Sequence, residues 1–122
     1  MRRVILVATL GFALAQGASA QNSLLIGRWA GSVKSANGMT FQLQDDFRPE
    51  GSFMSYCPQT GITVYGSWQY DGSVLHMKND RVSPPDAPIP PSENDTVSVQ
   101  GNVMTIANPA YGTIGTLYRS GD

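Results

Sequence analysis

From Ile26 onward the chain alternates with a period of two. Gly27, Trp29, Gly31 and Val33 fall on one face, and Arg28, Ala30, Ser32 and Lys34 on the other. Successive side chains of an extended strand point to opposite sides, so small or apolar residues on one face predict a half-buried strand. Near the far end, Thr116-Leu117-Tyr118-Arg119 reads as the last strand. A large indole on the first strand and a guanidinium on the last suit a closed sheet in which those two strands pair. Arg119 then lies across the face of Trp29, a contact worth about 0.5–2 kcal/mol depending on desolvation.

Turn signals recur between these two ends. Asn37-Gly38, Glu50-Gly51, Asp71-Gly72 and Gly101-Asn102 are each flanked by strand-like sequence, and such dipeptides accept the positive φ of tight hairpins. The clearest hairpin joins Ile62–Tyr70 to Ser73–Lys78, with Leu75 and Met77 on one face of its second arm and Val74, His76 and Lys78 on the other. A second joins Val97–Gln100 to Val103–Ala107. Met39–Asp45 is a strand with Met39, Phe41 and Leu43 inward, and Ser52–Cys57 and Thr113–Arg119 complete the set. The expected fold is all-β: a small antiparallel up-and-down barrel of about eight strands, closed so that no edge strand is left to aggregate.

One stretch breaks the rhythm. Ser83 to Pro91 holds five of the eight prolines. Proline cannot donate to a sheet ladder, so an extended loop is expected over 81–95, acting as a stiff connection, a lid over the barrel mouth, or a docking strip.

The first twenty residues read as an export leader: Arg2 and Arg3 as a basic start, Val4–Ala15 as an apolar run too short to span a bilayer, and Ala18-Ser19-Ala20 as a cleavage site. The mature chain is then a single domain over 21–122, periplasmic or secreted, without a membrane span. Of eight Lys/Arg and nine Asp/Glu, the leader removes two arginines, leaving six against nine and a net charge of −3. Such a chain offers no basic face for nucleic acid. Cys57 is the one cysteine, so no intramolecular disulfide is expected. It is read as a small buried apolar side chain, with pairing between chains or a redox-reactive thiol as the alternative.

Motifs for chemistry are sparse. His76, the one histidine, shares a face with polar Lys78 and is expected in solvent, and no ligand spacing for a metal is present. No Gly-x-Ser-x-Gly elbow occurs. Asp45, Asp46 and Glu50 gather near a turn but lack the alternating-oxygen pattern of a calcium loop, and they are expected to be solvated loop charges. Paired carboxylates in a cleft, which a glycosidase needs, are not expected. No cofactor is implied, and the chain is expected not to be an enzyme.

With Gly27-Arg28-Trp29, the run of hairpins and Arg119 in hand, the chain resembles the calycin superfamily. It is most similar to small secreted bacterial lipocalin-like domains. Their pattern appears as Phe47-Arg48-Pro49-Glu50-Gly51-Ser52-Phe53 and Gly66-Ser67-Trp68-Gln69-Tyr70-Asp71-Gly72-Ser73-Val74-Leu75. The resemblance implies a barrel with Gly27, Trp29 and Arg119 as its structural signature, and a non-enzymatic binding protein for a small apolar or amphipathic ligand. The inward aromatic residues Phe41, Phe53, Trp68 and Tyr70 either fill the core or line an apolar pocket, where they are the candidate ligand contacts, with Gly31 and Gly66 making room for a ring or a ligand. The chain is shorter than a lipocalin and lacks the family's disulfide and C-terminal helix, so a deep cup is not implied. A second calycin group, the periplasmic inhibitors of secreted metalloproteases, implies the alternative. In that reading the chain is a protein-interaction module for a periplasmic or extracellular partner, using the tail Gln21-Asn22-Ser23-Leu24 or the proline-rich loop.

Overall fold

A computed structural model describes residues 23–122. The leader and the first half of the tail lie outside the described residues. Among those described, eight strands follow one another: β1 (Gly27–Lys34), β2 (Thr40–Phe47), β3 (Ser52–Cys57), β4 (Ile62–Tyr70), β5 (Val74–Ser83), β6 (Ser92–Gln100), β7 (Val103–Asn108) and β8 (Thr113–Gly121). Each pairs antiparallel with the next, and β8 returns to β1, closing a meander barrel. No helix among the described residues is long and apolar enough to cross a membrane.

The turn chemistry falls where the dipeptides place it; Gly72, for instance, sits at φ +98° between β4 and β5. Polar residues such as Gln69, His76, Lys78, Ser98, Gln100 and Thr105 alternate outward, giving the exterior a water-facing surface, while the inward faces carry the core.

That core is concentrated at one end. Leu25, brought in by a short turn before β1, is fully buried there with Trp29, Leu75, Met104 and Leu117. Phe47 meets Trp68 edge-on at 5.4 Å and lies 6.2 Å from Phe53, centroid to centroid. Such rings contribute most of the burial free energy of a small sheet, at about 25 cal/mol per Å2 of apolar surface. Arg119 underlies this base. It sits opposite Trp29 in the β1–β8 register, with its Cζ 4.3 Å from the indole centroid.

Several expectations change. Met39 is 54% exposed rather than inward, because β2 begins one residue later and Met39 belongs to the turn. The proline-rich loop occupies 84–91, not 81–95: β5 continues to Ser83 and β6 begins at Ser92. Asn79, Asn94 and Asp95 have low strand propensity taken singly, yet ladder pairing to the neighbouring strands holds them extended, and Asp80 is the extra residue where the β4–β5 register shifts. Gly31 and Gly66 do not open interior space. A Cβ on Gly66 would lie 1.8 Å from the Lys78 carbonyl oxygen, and one on Gly31 would lie 2.1 Å from that of Thr116. Both glycines permit close backbone approach, and Gly66 does so where the β4–β5 register shifts.

Candidate functional site

Opposite the aromatic base the barrel stays open, around a cavity of about 280 Å3. Its apolar wall includes Leu43, Phe53, Ile62, Val64, Met77 and Ile106. A polar layer lies between base and mouth: Asp45 from β2, Ser55 and Cys57 from β3, Asn79 from β5, and Glu93 and Asp95 from β6. Ile89 of the proline-rich loop also lines the cavity, and the loop is tied back to β5. The Asn79 backbone N–H donates to Pro91 O (2.8 Å), and the Asn79 Nδ2 amide donates to Pro90 O (2.8 Å). The loop therefore packs over the mouth rather than standing clear of it.

The carboxylates are the unexpected part of this lining. Asp45 is 7% exposed and Asp95 6%, although Asp45 reads in sequence as a solvated loop charge. The correction follows from register. Asp45 is a β2 residue pairing with Trp29 on one side and Ser55 on the other, so it takes the inward face with Leu43 and Phe47. Asp46 points away and pairs with Arg48 at 2.8 Å, and Glu50 remains exposed. Asp45 Oδ1 is buried with no hydrogen-bond partner.

Burial pushes the Asp45 carboxyl up to about 6. The Ser55 hydroxyl opposes the rise, and the charges of Asp95 and Glu93 reinforce it. Asp95 is pushed up to about 6 as well, first by burial and then by Glu93, with a hydrogen bond to Asn108 opposing. Low dielectric disfavours the charged form of each, and like charge nearby disfavours it further. No Lys, Arg or His among the described residues lines the cavity to compensate.

Of the four aromatic residues named from sequence, Phe53 lines this cavity, and the other three do not. Trp68 and Tyr70 are buried in the base. The Trp68 Nε1–H donates to Arg48 O (3.1 Å), and the Tyr70 hydroxyl donates to Val97 O (2.8 Å). Phe41 is half-buried on β2. A ring on an inward face can fill a barrel as readily as line a pocket, and here the filled end takes Trp68 and Tyr70. Cys57 is a free thiol, half-buried at the cavity wall rather than enclosed in the core. His76 is on the outside, its Nδ1 2.8 Å from Asn94 Oδ1.

Asp45, Glu93 and Asp95 are the residues that composition-based reading passes over. A usable signal exists: the period of two that places Phe41 and Leu43 inward also selects Asp45 and Phe47 when it is carried through the charges. The same extension backward from Val97 selects Asp95 and Glu93. The carboxylates thus share one cavity, which removes the sequence argument that none are held together in a cleft. Among the described residues no group of three His, Cys, Asp or Glu side chains is placed to hold a metal ion.

The Ser23–Leu24 half of the tail leads directly into the base. Arg119 Nη2 donates to Leu24 O (3.1 Å), and the Trp29 Nε1–H donates to Leu25 O (2.9 Å). Comparison with protein-family models and with curated proteins finds no match to this chain.

Proposed function

We propose that this protein is an exported, lipocalin-like binding protein that takes one small amphipathic molecule into the open end of its barrel. The observation that carries the reading is the cavity itself: an apolar wall with a few convergent polar groups, which is the usual make-up of a small-molecule site. At about 280 Å3 it is near the lower end of ligand pockets, so the ligand is small. Eight strands enclose an interior just wide enough for such a guest when side chains leave one end unfilled. The calycin kinship is supported by the closed meander and by the Trp29–Arg119 stack at the seam. Fold kinship alone does not specify a ligand, so the lining residues carry the argument.

The test is a titration of isotope-labelled protein with short-chain alcohols, acids and amines, followed by amide chemical shifts. Shifts confined to Leu43, Val64, Met77 and Ile106 support the proposal; a panel that moves none of them overturns it. Export is tested by the mass of the protein recovered from the envelope fraction, expected to begin at Gln21.

A second reading has its own observation. Two carboxyls raised to about 6 in one cavity are what general acid–base catalysis uses. Turnover of small chromogenic glycosides or esters with a pH profile centred near 6, abolished in Asp45→Asn, would favour an enzyme over a binder.

A further inference from the structure

We infer that Asp45, supported by Asp95 and Glu93, is the docking point for the ammonium group of a small primary amine whose short apolar tail lies against Leu43, Val64, Met77 and Ile106. The inference rests on the reading of the cavity as a ligand site and adds the chemical class of the ligand.

Three independent features of the cavity converge on a cation. First, three carboxylates line it, and no cationic side chain among the described residues does. Second, Asp45 is more than nine-tenths buried, lies on the cavity wall, and leaves Oδ1 without a partner. A buried acceptor left unsatisfied is costly, whereas one that meets a charged donor becomes one of the stronger hydrogen bonds available. Third, the same lining carries hydrocarbon from Leu43, Val64, Met77 and Ile106 beside the carboxylates, so a guest that fills the space suits it best with a charge at one end and an apolar body at the other. An alkylammonium does this: its head has three donors and no acceptor, enough to meet Asp45 while facing Asp95. A carboxylate guest would set like charges together, and an alcohol would leave the carboxylate charges uncompensated. A metal ion fits less well, since no three-ligand group is placed to hold it among the described residues.

The titratable side chains that face Asp45 within the cavity are Cys57 from β3 and Glu93 and Asp95 from β6; β4, β5 and β7 contribute apolar or neutral polar lining only. The cation preference should therefore follow carboxylate ionisation, strong at pH 8 and weak at pH 5.

The experiment titrates the full chain with hexylamine, hexanol and hexanoate at pH 8, reading amide shifts at the cavity wall. Hexylamine is expected to bind at least about tenfold more tightly than hexanol, the size of one charge-assisted hydrogen bond, and hexanoate most weakly. In Asp45→Asn the amine preference should fall to within about twofold of hexanol; Asp95→Asn should reduce it in part and serves if the first variant does not fold. Hexanol or hexanoate binding as tightly as hexylamine overturns the amine assignment and leaves the cavity reading standing. Retention of the amine preference in both folded Asn variants overturns it too. Failure of all three probes to shift cavity residues overturns the cavity reading and the amine assignment together.

Discussion

The Arg119 guanidinium stacks on Trp29, its Cζ 4.3 Å from the indole centroid, across the seam where the last strand meets the first. The same group donates to Ile26 O at 2.6 Å, to Leu24 O at 3.1 Å and to Asn102 Oδ1 at 3.0 Å. One side chain therefore joins the chain's entry segment, the β6–β7 turn and the aromatic base. Trp29→Ala should cost about 3–5 kcal/mol, as large-to-small changes in a filled core do. Arg119→Ala should cost less, about 1–3 kcal/mol for the lost stack and hydrogen bonds. Arg119→Lys should recover only a fraction, because an ammonium cannot reach several acceptors as a fork while lying flat on a ring. Urea unfolding of the three variants checks the order.

Gly27 and Gly66 are predicted to be intolerant of alanine for different reasons. Gly27 has φ +130°, and a Cβ there would lie 2.7 Å from Arg119 Nη1. Alanine would both strain the backbone and displace the stacking guanidinium. At Gly66 the obstacle is the Lys78 backbone oxygen at 1.8 Å, which no side-chain motion relieves. Gly66→Ala should therefore be the more damaging, by about 2 kcal/mol or more. Comparable midpoints for Gly66→Ala and the parent chain in thermal melts would contradict the close approach.

Stability should fall as the solution is made less acid between about pH 4 and pH 6. The carboxyls of Asp45 and Asp95 are raised to about 6 from an ordinary 3.8. Over that interval the folded chain holds more protons than the unfolded chain, so raising the pH favours unfolding, and the loss levels off above about 6. Asp45→Asn should remove its share of this slope. It should stabilise the protein at pH 7 by about 2–3 kcal/mol, the linkage equivalent of the Asp45 displacement. Urea midpoints across pH 4–8 for the parent and the variant provide the check; a variant with the parent's slope would show that Asp45 is not the buried titrating group.

Cys57 offers a probe of the mouth. Its thiol lines the cavity and has access to solvent, so alkylation with iodoacetamide should fill part of the apolar space. Ligand affinity should drop by about tenfold or more, and saturating ligand should slow the alkylation. Equal alkylation rates with and without bound ligand would place the guest elsewhere.

The architecture was legible from local signals. Alternation from Gly27 to Val33, the Asx-Gly turns and Arg119 near the end are features of neighbouring residues, and backbone geometry translates them directly into strands, hairpins and a pairing of first with last. The loop bounds were less legible. Asn79, Asn94 and Asp95 look like connection when judged one at a time, and only their ladder partners across β4, β5 and β6 keep them extended.

The interior is a different kind of fact. Periodicity assigns Phe41, Phe53, Trp68 and Tyr70 to an inward face, but a barrel's inside has length as well as direction. Height along its axis depends on the stagger of all eight strands at once. That stagger sends Trp68 and Tyr70 to the packed base, leaves Phe53 at the floor of the cavity, and gathers Asp45 from β2 with Glu93 and Asp95 from β6, about fifty residues away along the chain. No window of sequence contains that meeting, because it exists only once the sheet has closed.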